Sequence, residues 1–259
     1  MTRLVALANQ KGGVGKTTTA INLGAALARL GQPVLIIDMD PQANASAGLG
    51  LRAPEGKSTY QLLLGQAGLG AVVLPTAFDG LSIVPSTSDL AGAEVELTSM
   101  MAREYQLKRA IEGEYERYRF VLIDCPPSVG LLTVNAMTAV EEVIVPVQCE
   151  YLALEGLGQF VGLVERVRRF LNPGLILRGL LLTMYDRRTR LSQQVADEVR
   201  SHFPSTFQAV IPRSVRLSEA PSHGLPIGTY DPRSPAAEAY ASLAEELLRS
   251  APAAAEVAS

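Results

Sequence analysis

The sequence predicts an α/β fold: a single domain with a mostly parallel sheet and helices on both faces. Three observations carry this. Short runs nearly continuous in Val, Ile and Leu alternate with longer stretches of helical periodicity, as strands covered on both faces do. Alternation of this kind argues for right-handed βαβ units. The 259 residues contain no linker that would divide them, and single α/β domains reach this length. The domain is expected over residues 1–250, with an Ala-rich frayed tail over 251–259.

The elements follow in order. Strands are expected over Arg3–Ala8, Pro33–Asp38, Leu81–Pro85, Phe120–Asp124, Val143–Gln148, Leu175–Met184 and Gln208–Ile211, each an apolar run with β-branched or aliphatic residues throughout. Helices are expected over Lys16–Arg29, Leu97–Glu112, Leu131–Glu141, Leu154–Phe170, Leu191–Phe203 and Ala236–Arg249. Residues 48–80 are Gly-rich and weakly periodic, a loop-heavy excursion rather than a second domain.

Composition narrows the function classes. Hydrophobic residues are 47% and charged residues 19%, which excludes a disordered or collagen-like chain. No run of about 18 apolar residues occurs, so no transmembrane helix is expected. Met1-Thr2-Arg3-Leu4-Val5 is not the start of a signal peptide. Cys125 and Cys149 form no disulfide framework and read as core thiols at strand ends. His202 and His223 have no cysteine or second histidine at metal-ligand spacing. A soluble cytoplasmic protein is expected. Net charge is −3, but residues 161–216 hold ten arginines and four acids, a +6 segment that leaves −9 elsewhere. A solvated helical face and a polyanion surface both fit that segment.

The first strand runs into Lys11-Gly12-Gly13-Val14-Gly15-Lys16-Thr17-Thr18-Thr19 and then a helix. Strand, glycine-rich turn and helix make the context of a phosphate loop. Glycines let successive N–H groups face one anion, and the helix N-terminus adds partial positive charge. Lys16 is placed for the β/γ-phosphates and the Thr17 hydroxyl for Mg²⁺. The ordinary motif wants glycine at position 10, where Gln10 stands. A second lysine, Lys11, opens the loop instead. Only four lysines occur in the chain (11, 16, 57, 108), so a compact ammonium rather than a guanidinium fork is wanted at both positions.

Lys-Gly-Gly-Val-Gly-Lys-Thr-Thr resembles the deviant Walker A box of the ParA/MinD group of P-loop ATPases, and the resemblance runs from about Leu4 to Leu248. It implies the P-loop NTPase fold, ATP and Mg²⁺ as ligands, and ATP contacts from Lys11, Gly12, Gly13, Val14, Gly15, Lys16, Thr17 and Thr18. It also implies that Lys11 crosses a dimer interface to the partner's phosphates.

Strand two ends in Asp38-Met39-Asp40-Pro41-Gln42. Carboxylates at i and i+2 emerge at the C-terminal edge of the sheet, where α/β folds place ligands. Asp38, nearer the sheet, suits the Mg²⁺ shell, and Asp40, further out, suits an attacking water. The block looks like the family's Asp-x-Asp-Pro-Gln segment, whose second aspartate serves hydrolysis. Phe120-Val121-Leu122-Ile123-Asp124 has the Walker B arrangement, an apolar strand closed by a carboxylate that holds Mg²⁺. Its continuation Cys125-Pro126-Pro127-Ser128 resembles the partition ATPases of the ParA/Soj type. Pro146–Gly156 also looks like a family block; Glu150 there is open between a nucleotide or partner contact and a plain helix-entry loop. By the same resemblance Met184, Pro212 and Arg213 flank adenine, and Arg188 and Arg216 match arginines that bind DNA without sequence preference. Backbone contact of that kind needs no base reading. Only ten residues precede Lys11, so an operator-reading helix-turn-helix ahead of the loop is not expected.

The implied function is a DNA-segregation ATPase. ATP joins two subunits, the dimer binds double-stranded DNA, and a ParB-type centromere-binding partner stimulates hydrolysis and release. Nucleoid association in the cytoplasm follows. A MinD-like division regulator is the alternative, but Ala244-Glu245-Glu246-Leu247-Leu248-Arg249-Ser250-Ala251-Pro252 is acidic and then broken by proline, unlike a basic membrane helix. A reductase like the nitrogenase iron protein is a further one, and Cys125, directly after Asp124, has the wrong spacing for a bridging cluster.

Overall fold

Seven strands are laid down in chain order: β1 (Arg3–Leu7), β2 (Val34–Asp38), β3 (Leu74–Pro75), β4 (Leu81–Val84), β5 (Phe120–Asp124), β6 (Glu142–Gln148) and β7 (Ile176–Thr183). They form one sheet in the order β3-β4-β2-β5-β1-β6-β7. Every pairing is parallel except β3 with β4. The computed structural model describes residues 1–150 and 153–250; Tyr151, Leu152 and the tail 251–259, taken above as frayed, lie outside the described residues.

The helices are α1 (Lys16–Arg29), α2 (Asn44–Gly48), α3 (Thr59–Leu63), α4 (Leu69–Val72), α5 (Leu90–Leu97), α6 (Gln106–Ile111), α7 (Leu131–Ala139), α8 (Ala153–Phe170), α9 (Arg190–His202), α10 (Val215–Glu219), α11 (Ile227–Tyr230) and α12 (Pro235–Arg249). Among the described residues no helix is long and apolar enough to cross a membrane. Side chains alternate along the strands, so the sheet feeds two cores. Leu4 and Ala6 of β1 join α7, α8 and α9 on one face. Val5 and Leu7 join α1 and α12 on the other. Each fully buried Leu, Ile or Val contributes ~1.5–3 kcal/mol over its exposed state, so continuous apolar strands are the sequences that tolerate burial on both sides.

This topology positions the site. From β1 the chain crosses through α1 over one face to β2; from β5 it crosses through α7 over the other face to β6. The two crossovers diverge at β1 and β5, which are neighbours, and a crevice opens there at the carboxyl ends of the strands. The opposite end of the sheet is closed by buried but paired charge: Arg3 meets Glu142 at 2.7 Å and Arg178 approaches the same carboxylate at 3.6 Å.

Two expected elements differ. Gln208–Ile211 is not a strand. Its ends do bond to β7, Phe207 N to Leu180 O and Ile211 N to Leu182 O. Between them the Gln208 and Ala209 N–H groups donate to the Glu246 carboxylate of α12, so no ladder forms. The helix expected over Leu97–Glu112 is broken: α5 ends at Leu97, Ala102 turns left-handed at φ 50°, and α6 starts at Gln106. Asn135 of α7 replaces the lost helical partners, accepting from Leu107 N and donating to Arg103 O. The excursion 48–80 contains α3, α4 and the antiparallel edge β3.

Candidate active site

The loop between β1 and α1 is held from outside by side chains and left open inside. Asn9 donates to Pro146 O at 2.8 Å and accepts from Lys11 N at 3.0 Å, which pins the loop entry. Thr183, at the end of β7, donates to Val14 O at 2.9 Å. Gly13 and Gly15 stand at φ 73° and 91°, left-handed values that disfavour any side chain. Gly15 is the N-cap of α1, with no capping side chain and no acid in the first turn. The amino end of α1 is therefore a ready anion site.

The two lysines of the loop have opposite surroundings. Lys16 is 6% exposed and donates to Lys11 O at 3.1 Å. Burial lowers its pKa, against the pull of Asp124, Cys125 and Asp40. The Lys11 side chain is 40% exposed and its ammonium lies 3.8 Å from Glu150, whose carboxylate also accepts from Gln148. Glu150 thus faces the loop's first lysine within the same chain.

Asp38 and Asp124 are register partners in adjacent strands and both are fully buried. Burial and the Asp38 charge push the Asp124 carboxyl well up, with the Thr17 hydroxyl and Lys16 offsetting part of this. The Thr17 hydroxyl approaches this carboxylate, yet among the described residues neither Asp124 oxygen has a partner that meets full hydrogen-bonding geometry. Buried polar oxygens are normally satisfied, and two orphaned carboxylate oxygens beside a threonine hydroxyl make the hard donor set that Mg²⁺ prefers. The residues present fit that ion. Asp38, unlike Asp124, has both oxygens hydrogen-bonded. Its Oδ1 accepts from Asp40 N at 3.2 Å and its Oδ2 from Ser46 N and Oγ at 2.9 and 2.7 Å. Its carboxyl is pushed up to about 6 by burial, against the hydrogen bonds from Ser46 and Asp40. Asp40 is buried at the crevice edge, and its Oδ1 accepts from Gln42 N at 2.9 Å.

A cavity of about 450 Å³ adjoins the loop, walled by Gly15, Thr18, Thr183, Met184, Pro212 and Arg213. All three residues expected beside a base line it together with the phosphate loop. Met184 is left-handed at φ 52°, a strained value for a long side chain that directs attention to this turn. Tyr185 N to Ile211 O at 3.1 Å and Arg213 N to Tyr185 O at 3.0 Å hold the two segments side by side.

The arginines expected on DNA lie further out. Arg188 is 87% exposed and grips Asp186 at 3.0 and 2.8 Å, pulling that carboxyl down to about 2. Arg216, 58% exposed, lies 3.0 Å from Glu219 and 3.7 Å from Asp231. A second cavity, of about 1040 Å³, is lined by Arg187, Arg188, Arg200 and Arg213 together with Asp186 and Glu238 of α12. Arg200 Nε there is buried with no hydrogen-bond partner among the described residues.

Cys125 and Cys149 are buried free thiols, and burial pushes Cys149 up to about 11. His223 stacks on Tyr230 at 5.0 Å. Sequence reasoning missed Asn9, Thr183 and Ser46. Asn9 carries a signal, since a polar residue closing an apolar strand just before a glycine loop is a natural anchor. Thr183 and Ser46 carry none.

A family model described as an AAA domain matches residues 2–177. The chromosome-partitioning ATPase Soj of Thermus thermophilus is 53% identical over 247 residues, covering 95% of this chain and 95% of that protein. The chromosome partitioning protein ParA of Caulobacter vibrioides is 52% identical over 250 residues, covering 95% of this chain and 94% of that protein. Among solved structures, cobyrinic acid a,c-diamide synthase from Mycobacterium smegmatis with bound ADP and magnesium is similar at TM-score 0.83 and 40% identity, covering 96% of this chain and 95% of that one.

Proposed function

Because the chain belongs to the Soj/ParA family of chromosome-partitioning ATPases, we propose that the crevice at the ends of β1, β2 and β5 hydrolyses ATP to switch a dimer on and off DNA. The observation that carries this is the orphaned Asp124 carboxylate, beside Thr17 in the uncapped first turn of α1. The backbone N–H groups of Gly12–Thr18 and the Lys16 ammonium bind the phosphates. Met184, Pro212 and Arg213 enclose the base. Thr17 and Asp124 hold Mg²⁺, which when bound neutralises charge on the phosphates. Asp40, presented on the turn after β2, orients the attacking water, and its carboxylate accepts from Gln42 N.

Lys11 supports the dimer reading. Its ammonium lies outward, on an exposed and weak contact with Glu150, and such a pair is worth little in water. It is free to exchange that partner for the phosphates of a second subunit. Arg188 and Arg216 meet the backbone of double-stranded DNA. A ParB-type protein is the partner that triggers hydrolysis, and the chain works in the cytoplasm on the nucleoid. Purified protein assayed for DNA binding without nucleotide, with ADP and with ATP tests the cycle. Retention on DNA in ATP alone is expected; equal retention in all three states would overturn it.

A further inference from the structure

Asp40 is carried on a strained turn whose two ends meet on one buried carboxylate, and a buried hydroxyl holds that carboxylate. Ser46 of α2 is 1% exposed. Its Oγ donates to Asp38 Oδ2 at 2.7 Å and accepts from Ser86 N at 3.0 Å, just beyond the end of β4. The Ser46 N–H grips the same Asp38 oxygen at 2.9 Å. The other Asp38 oxygen accepts from Asp40 N at 3.2 Å. A single carboxylate therefore clamps residue 40 at one end of the turn and residue 46 at the other. Between them Ala43 sits at φ 54°. A left-handed non-glycine residue is strained and persists only where its surroundings over-determine it. Within the turn Ala43 N donates to Asp40 O and Gln42 N to Asp40 Oδ1, both at 2.9 Å; the clamp on Asp38 is the tie that runs past the strained residue to α2.

We infer that Ser46 is a positioning residue for ATP hydrolysis: through Asp38 it fixes the 39–45 turn and thereby the Asp40 carboxylate. The inference rests on Asp40 being the residue that orients water. Removing the Ser46 hydroxyl leaves Ser86 N without its acceptor and halves the Ser46 grip on Asp38. A buried donor left unpaired is costly, and the strained turn is then free to relax. Asp40 moves with it. The nucleotide is held by Lys16, Thr17 and the loop backbone, none of which touches Ser46, so binding is spared. Misplacement of a catalytic group by ~1 Å costs on the order of 10²-fold in rate.

The test compares Ser46→Ala, Ser46→Thr and Asp40→Ala, each assayed for ATP affinity by calorimetry and for turnover over a range of ATP concentration. Ser46→Ala is expected to lower kcat by roughly 10- to 100-fold with KM and ATP affinity nearly unchanged, and Ser46→Thr, which keeps the hydroxyl, to restore most of the rate. Hydrogen exchange of the nucleotide-free protein gives a readout apart from activity: the amides of Asp40, Ser46 and Ser86 should exchange faster in Ser46→Ala while those of β5 do not. Parent kcat in Ser46→Ala, or a loss of ATP affinity equal to the loss of rate, overturns the inference. Should Ser46→Ala not fold, Ser46→Cys keeps the volume, weakens the donor and faces the same criteria. Parent turnover in Asp40→Ala sinks the reading of Asp40 itself. A dead Asp40→Ala beside an unaffected Ser46→Ala sinks only the role of Ser46.

Discussion

The nucleotide crevice and the arginine face both bind phosphate in this reading, yet they are built on opposite principles. In the crevice the charges are buried and under-compensated: Asp124 has two unpartnered oxygens, and Lys16 sits desolvated against a carbonyl. On the arginine face the charges are exposed and already paired, Arg188 with Asp186 and Arg216 with Glu219. A desolvated site concentrates interaction in a few groups, because each works at low dielectric. An exposed site divides it among many weak contacts that salt screens. Loss of one group should therefore be catastrophic in the first region and graded in the second.

Lys16→Ala breaks the crevice most completely. It removes the buried ammonium proposed to face the phosphates, and ATP binding should vanish in calorimetry. Unchanged ATP affinity would remove Lys16 from the site. Lys11→Ala should leave nucleotide binding intact, because its side chain is exposed and turned to Glu150. If it serves a partner's phosphates as an arginine finger does, turnover should fall by ~10³–10⁵ and the ATP dimer should fail to form. Light scattering and phosphate release measure both, and normal values in both would leave the lysine without a role in trans.

The arginine face is sharpened by salt. If Arg188 and Arg216 each meet one phosphate, the log–log salt slope of DNA binding should be roughly −1.8 for a monomer and roughly −3.6 for an ATP dimer. Changing both to glutamate should abolish DNA binding on unrelated duplexes and spare ATP-driven dimerisation. Because each arginine is held by an acid, Glu219→Gln should release Arg216 and strengthen DNA binding a few-fold. Weaker binding in Glu219→Gln would mean that the pair orients the arginine instead of competing for it. If the double variant still binds DNA in ATP, the Arg187, Arg200 and Arg213 cavity is the next place to mutate.

The smallest effect is on stability. The Asp124 carboxyl has its pKa raised in the folded state by burial and by Asp38. For an acid shifted upward, the folded protein holds the proton more tightly than the unfolded chain. That contribution is present below the ordinary aspartate pKa of ~3.9 and is lost as pH rises toward the folded value. Asp124→Asn should therefore melt higher than the parent without nucleotide at pH 8, with the gap narrowing as pH falls toward 4. Each ~1 kcal/mol corresponds to about 2–4 °C in a chain of this size. The same variant should lose Mg²⁺-dependent ATP binding, and a lower melting temperature at pH 8 would show that Asp124 is not an under-compensated charge.

Much of this molecule is legible along the chain. β1, β2, β5, α1 and the loop joining β1 to α1 were readable because their signals are local: an apolar run, a glycine turn that backbone geometry requires, and a carboxylate that closes a strand. The P-loop fold and the membership in a partition ATPase family follow from such short-range patterns, and the roles proposed for Lys16, Thr17 and Asp124 rest on them as well. Other features depend on partners distant in sequence. Gln208–Ile211 has the composition of a strand, but Glu246 takes two of its N–H groups and no ladder forms. Leu97–Glu112 has the period of one helix, but Asn135 supplies partners that let it break at Ala102. Asp38 and Asp124 look equivalent as acids ending strands; only packing makes one a clamp for Ser46 and leaves the other bare. Local sequence determines which backbone conformations and charges are available, because propensity and periodicity act within a few residues. Whether a given charge ends up paired is decided by which distant group the fold brings within hydrogen-bonding reach, about 3.5 Å, and the interaction weakens steeply beyond it.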